Sequence, residues 1–132
     1  MSLKIVFMGT PEFSIPSLKV LKESKHKIVC VYTQPPKKKS RGQKIQKTAV
    51  HIFSENEGIK VKTNMLNDEN EYENFIKLNP DIVVVVAYGQ IIPDIYLKKH
   101  DLIFLNLHAS LLPKWRGAAP IERAILNKDK ET

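Results

Sequence analysis

The chain has 132 residues, enough for one domain with a proper core but not for two of average size. Apolar residues make up 42% and charged residues 27%, no apolar run is long enough to span a bilayer, and no small-residue cleavage site follows the N-terminus, so neither a membrane protein nor a signal peptide is expected. The net charge of +7, from 21 basic and 14 acidic residues, is compatible with a polyanionic partner, while a single cysteine rules out an internal disulfide and makes the cytoplasm the default compartment.

Apolar runs of strand length alternate with longer helical patterns. Lys4 to Met8 predicts a first strand. Pro11 to Ser24 predicts a helix with Phe13, Leu18 and Leu21 on its apolar face and a proline at its start. Lys27 to Tyr32 predicts a second strand, with Cys30 inside it as a small buried hydrophobe. Gln34 to Thr48 follows as a basic loop: Lys37, Lys38, Lys39, Arg41, Lys44 and Lys47 occur without an acid among them. Without these six the net charge falls to about +1, so most of the excess sits in one place. By charge alone the loop is either a solvated surface segment or an arm for a polyanion. Lys47 to Glu57 predicts a second helix ended by Gly58, and Ile59 to Thr63 a short strand. Asp68 to Leu78 predicts a helix capped by Asn67 or Asp68. Ile82 to Ala87 is continuously apolar and β-branched and predicts a central strand buried on both faces. Pro93 to Lys99 predicts a short helix, Leu102 to His108 a strand, and Ala118 to Asn127 a last helix.

Such alternation predicts an α/β fold, a Rossmann-like parallel sheet with helices on both faces. The polar stretch Asn127 to Thr132 reads as a turn into a further strand, so the fold is expected to be truncated at its C-terminal end. Ligands of these sheets bind beyond the carboxyl ends of the strands. Gly9-Thr10-Pro11, the segment from Gln34 onward, Ala87-Tyr88-Gly89 and His108-Ala109-Ser110 all fall there.

Several chemistries fail on their diagnostics. The first turn, Gly9-Thr10-Pro11-Glu12-Phe13-Ser14, carries one glycine where a dinucleotide fingerprint needs three, and no acid ends the second strand. No P-loop is present. His26, His51, His100 and His108 lack ligand spacing, so no metal is expected. Ser110 lies in no nucleophile elbow and reads as a loop or cap hydroxyl.

Asn106 and His108 remain. Strand alternation sends Leu105 and Leu107 one way and Asn106 and His108 the other, at the point where strand gives way to loop. The carboxamide can donate a hydrogen bond at any pH, and the imidazole can gain or lose a proton near neutrality. That pair suits acyl transfer, in which one group stabilises an oxyanion and the other moves a proton. The bland alternative is a strand end whose polar groups bond only to backbone. Leu111 and Leu112 in the following loop suit the wall of a pocket for a flat organic ligand, and Trp115 serves either to stack or to close the core.

The run Asn106-Leu107-His108-Ala109-Ser110-Leu111-Leu112-Pro113 resembles the signature of the folate-dependent formyltransferases, which move a formyl group from 10-formyltetrahydrofolate to an amine. Lys114 to Ile121, Phe7 to Phe13, Val85 to Pro93 and Thr33-Gln34-Pro35 before a basic loop resemble the members whose acceptor is the methionine amine of initiator methionyl-tRNA. The likeness runs from Lys4 to about Asn127 and implies an enzyme of translation initiation. It implies that Asn106 stabilises the oxyanion and His108 handles the amine proton. It assigns Ser110, Leu111, Leu112 and Pro113 to the folate-binding loop, and Val86, Ala87, Tyr88 and Ile91 to the walls of the pterin pocket. It makes Arg41 the first candidate for a tRNA contact, then Lys44, with Lys37, Lys38 and Lys39 carried over only as charge.

The family also has a catalytic aspartate and a C-terminal β-barrel that contacts tRNA, and neither has a counterpart within residues 1–132. The resemblance therefore implies an incomplete N-terminal, 10-formyltetrahydrofolate-binding domain, nearly inactive by itself; a monomer is the expected state. The rivals are a sugar-nucleotide or purine-pathway N-formyltransferase on the same core and a non-catalytic RNA-binding α/β module. The Trp-Arg-Gly-Ala-Ala-Pro run and the basic loop speak against the first.

Overall fold

Alternation in Ile5-Val6-Phe7-Met8 sends Ile5 and Phe7 to one face of strand β1 (Lys4–Gly9) and Val6 and Met8 to the other, and all four are buried. A strand buried on both sides belongs in the middle of a sheet covered twice. The computed structural model, which describes residues 1–39 and 44–107, places it there. Five strands, β1, β2 (Lys27–Tyr32), β5 (Val61–Lys62), β6 (Ile82–Val86) and β7 (Ile103–Leu107), form one sheet in the order β5-β2-β1-β6-β7. Every neighbouring pair is parallel.

Helices α1 (Ile15–Glu23) and α2 (Ala49–Asn56) cover one face. There Leu18, Leu21 and Val50 pack with Phe7, Val31, Val84, Val86, Leu105 and Leu107. Helices α3 (Glu71–Lys77) and α4 (Asp94–Leu97) cover the other, where Phe75 and Tyr96 pack with Met8, Tyr32, Val83, Val85, Tyr88 and Phe104. Cys30 belongs to this second core, and burial pushes its thiol up to about 11, so it stays protonated and unreactive at neutral pH. The α/β architecture with a Rossmann-like parallel sheet is thus the one the sequence pattern predicts.

The second core also holds a charge. Glu71 is 1% exposed, accepts a hydrogen bond from the Tyr32 hydroxyl, and accepts another from Lys62 Nζ at 2.6 Å. The Lys62 ammonium lies 5.5 Å from the centre of the Tyr32 ring. Three elements, β2, β5 and α3, are therefore pinned through one carboxylate. The Tyr32 hydroxyl is pushed well above its ordinary range by burial, and further by the Glu71 beside it.

The elements differ from the sequence expectations at their ends, for identifiable reasons. The helix expected from Pro11 begins as a 3-10 turn over Glu12–Ser14 and becomes α-helical only at Ile15. The tighter turn rotates the register, so Ser14 is buried while Phe13, expected on the apolar face, is 54% exposed. The helix expected from Lys47 begins at Ala49, because Thr48 caps it: its hydroxyl accepts from the His51 backbone N–H at 3.0 Å. Asp68 does not start α3, since its carboxylate accepts from the Met65 N–H at 3.0 Å and builds a turn instead. The basic segment, expected as a loop, contains a short antiparallel hairpin of β3 (Lys37–Lys39) and β4 (Lys44–Gln46). The helix expected over residues 118–127 lies outside the described residues.

Candidate active site

From β1 the chain crosses to β2 on one side, and from β6 it crosses to β7 on the other, so the carboxyl ends of β1 and β6 flank a topological switch point. Gly9 lies at that point because nothing larger fits. A Cβ there would come within 2.8 Å of the Val86 carbonyl oxygen and 3.0 Å of Ser14 Cβ. The close approach lets the Ser14 hydroxyl donate to that same carbonyl at 2.5 Å. Just beyond, the Thr10 hydroxyl donates to the Tyr88 carbonyl at 2.6 Å, tying the two strand ends together.

The segment after β6 leaves the sheet abruptly. Ala87 and Gly89 have φ of +53° and +88°, and the turn they make brings the Gly89 carbonyl to the carboxamide of Gln34, which donates to it at 2.8 Å. Gln90 extends the connection: its Nε2 donates to Gln34 Oε1 at 3.4 Å, and its Oε1 accepts the Leu66 N–H at 3.3 Å. Gln34, Gln90 and Asn67, with Met65, Ile91 and Pro93, line a groove of about 440 Å³. Apolar walls with a few carboxamides suit a flat heteroaromatic ring bearing donors and acceptors on its edge.

A second groove, of about 510 Å³, opens on the other side of Gln34, where Pro11, Glu12 and Pro35 face Lys37, Lys47 and Ile52. The hairpin forms one of its sides. Its register sets Lys37 against Gln46, Lys38 against Ile45 and Lys39 against Lys44, so two cationic residues occupy opposed positions.

The residues singled out in the sequence are placed unequally. Asn106 lies on β7 opposite Val85, is partly exposed, and by alternation shares its side of the sheet with Phe104, not with Leu105 and Leu107. Ile91 is 92% exposed at the rim of the first groove. Val86 and Tyr88 do not stand beside it as walls: their side chains are buried in opposite cores, and Ala87 projects from the left-handed turn. The Tyr88 backbone carbonyl is taken by the Thr10 hydroxyl. Lys37, Lys38, Lys39 and Lys44 all fall on the hairpin. Arg41, His108, Ser110, Leu111, Leu112 and Pro113 lie outside the described residues. Gln34, Met65, Asn67 and Gln90 were missed as groove residues; Gln34 alone carried a signal, as the polar residue at the carboxyl end of β2.

Buried Tyr88 offers a direct check on its place. Its hydroxyl has no hydrogen-bond partner among the described residues. Tyr88→Phe is expected to leave stability to urea unchanged or raise it by up to about 1 kcal/mol, because a desolvated hydroxyl is removed. A marked loss of donor affinity in that variant would instead put the hydroxyl on a ligand.

Among the described residues no three His, Cys, Asp or Glu side chains gather to hold a metal ion, and no helix is long and apolar enough to cross a membrane.

Comparison with known proteins adds to this geometry. The formyl transferase family pattern matches residues 3–132. A methionyl-tRNA formyltransferase of Pelagibacter ubique is 54% identical over the whole of this chain and 43% of its own length. One from Coxiella burnetii is 52% identical over the whole chain and 42% of its length. The chain thus spans about two fifths of the length of these relatives. Among solved structures, a phosphoribosylglycinamide formyltransferase from Brucella melitensis superposes with a TM-score of 0.58 at 20% identity, over 96% of this chain and 67% of that one. A formyltetrahydrofolate deformylase from Pseudomonas putida gives 0.58 at 17% identity, over 96% and 45%. At such identities the likeness is one of fold.

Proposed function

The chain belongs to the formyl transferase family, and from that premise we propose that its residues form the donor-binding, N-terminal part of an enzyme that formylates the α-amino group of methionine on initiator methionyl-tRNA, in the cytoplasm, for translation initiation. The observation that carries the reading is the juxtaposition of a heteroaromatic-sized groove and a cationic hairpin on the two sides of one residue, Gln34, at the switch point of the sheet. The high identity to relatives named for methionyl-tRNA supports the acceptor.

The formyl donor in this reading is 10-formyltetrahydrofolate, a substrate, with no metal required. The first groove fits its pterin: Met65, Ile91 and Pro93 supply apolar walls, and the carboxamides of Asn67 and Gln90 supply groups for the ring edge. Ser110 to Pro113, by their resemblance to the family's folate-binding loop, bind the same substrate. Attack by the methionine amine forms a carbon–nitrogen bond at the formyl carbon and places negative charge on the formyl oxygen. Asn106 stabilises that charge with its side-chain N–H, where a preorganised donor is worth most. His108 takes the proton lost by the amine. Cleavage of the bond to N10, with protonation of that nitrogen, releases tetrahydrofolate and the formylated aminoacyl-tRNA. A carboxylate that orients His108 comes from the rest of the catalytic domain, and a C-terminal β-barrel adds tRNA contacts.

In this scheme the basic segment meets the RNA backbone through Arg41, Lys44, Lys37, Lys38 and Lys39. Each phosphate neutralised releases counterions, so affinity falls steeply with salt. Replacing Lys37, Lys38 and Lys44 together with Ser in the full-length protein should raise the KM for methionyl-tRNA. It should also lessen the slope of log affinity against log salt by about two to three. A slope unchanged by the triple replacement would remove the hairpin from the RNA interface.

A further inference from the structure

Gln34 joins two segments that the proposed function assigns to different substrates. Its backbone leads into the hairpin through Pro35 and Pro36, a stiff two-residue spacer before Lys37. The root of the hairpin is closed at its other end, where the hydroxyls of Thr33 and Thr48 share a hydrogen bond of 2.7 Å. The Gln34 backbone N–H also donates, at 3.4 Å, to the same Thr10 hydroxyl that holds the Tyr88 carbonyl.

The Gln34 side chain reaches across to the segment after β6. Its carboxamide is used at both ends, donating to the Gly89 carbonyl at 2.8 Å and accepting from Gln90 at 3.4 Å. Gln90 in turn holds the Leu66 N–H. The space at Gly89 is shaped to this contact: φ is +88°, and a Cβ there would lie 2.9 Å from Gln34 Nε2. The planar carboxamide offers a donor and an acceptor side by side whatever the pH.

We propose that Gln34 is a positioning residue that fixes the hairpin in register with the Gly89-Gln90 segment, so that RNA acceptor and formyl donor are presented together to Asn106. The inference rests on the proposed function for the identity of the two substrates, and on the hydrogen bonds alone for the mechanical link. A rigid spacer on one side and a two-ended carboxamide on the other transmit displacement of either segment to its neighbour. Gln34 touches no reacting atom in this scheme and acts only through what it holds.

The test uses Gln34→Ala, Gln34→Glu and Gln90→Ala in the full-length protein. In both Gln34 variants the KM values for donor and for methionyl-tRNA should rise together, each by about fivefold or more, with kcat changed by less than about twofold. Gln90→Ala, which leaves the hairpin attachment intact, should raise the donor KM alone. A role confined to stability would lower the active fraction, and so kcat, without moving either KM. Hydrogen exchange in the ligand-free protein gives a readout that needs no activity: the Leu66 amide and the amides of β3 and β4 should exchange about fivefold faster in Gln34→Ala. Unchanged exchange at either segment, or KM values that stay put while kcat falls, overturns the proposal. A wild-type protein that formylates no methionyl-tRNA would sink the proposed function, leaving the exchange measurement to decide on Gln34 by itself.

Discussion

Asn106→Ala in the full-length protein is expected to lower kcat for formyl transfer by about 10²–10³-fold with little change in either KM. The side chain stands on β7 opposite Val85, one residue before the described strand ends, and is partly exposed where Leu105 and Leu107 are buried. Its truncation therefore removes a donor and leaves the core intact. An interaction made only with the developing oxyanion lowers kcat and kcat/KM equally, whereas lost ground-state binding would raise KM. Asn106→Asp sharpens the point: shape is kept, the donor is replaced by an acceptor with negative charge, and activity should fall at least as far. Initial-rate formylation with both substrates varied is the check. Activity within about threefold of wild type, in a normally folded variant, would reduce Asn106 to a structural strand end.

Glu71→Ala should destabilise the fold by about 3–5 kcal/mol, read by urea unfolding. The carboxylate is buried against Lys62, whose side chain is 15% exposed, and against the Tyr32 hydroxyl. Removing it strands a largely buried ammonium and a buried phenol at once. Glu71→Gln separates the two losses, because the amide oxygen still accepts from Tyr32 while the charge on Lys62 goes unbalanced. Replacing both partners, Glu71→Leu with Lys62→Met, should recover most of the stability lost in the single variants. Breaking a buried pair costs far more than substituting it whole. A loss below about 1 kcal/mol in Glu71→Ala would mean that water reaches Lys62 readily and that the clamp between β2, β5 and α3 is weak.

The sheet was legible because its signal is local. Ile5 to Met8 and Ile82 to Val86 are apolar on consecutive residues, a pattern that fits only strands covered on both faces, and the intervening helical periods imply crossovers. The placement of Asn106 away from Leu105 and Leu107 follows from the two-residue period of a strand. The hairpin was not legible, since lysines carry little β-propensity and only Ile45 hints at alternation. Phe13 was misplaced because apolar spacing does not distinguish a 3-10 turn from the first turn of an α-helix.

The polar networks were out of reach for another reason. Tyr32, Lys62 and Glu71 belong to three elements, and Gln34 and Gly89 lie 55 residues apart. Such pairs acquire meaning only once the sheet order brings them together. For the same reason Val86 and Tyr88 read as pocket walls from their motif, while the left-handed turn at Ala87 sends their side chains into separate cores and leaves Ile91 at the groove.

A choice of acceptors tests the proposed activity most directly. The full-length protein, supplied with 10-formyltetrahydrofolate, should be offered methionyl-tRNA, a ribosylglycinamide phosphate and an amino-sugar nucleotide in parallel. Formyl transfer is expected to the methionine amine of the tRNA and to neither of the two small amines. Formyl appearing on either small amine but not on methionyl-tRNA, or released only as formate, would contradict it.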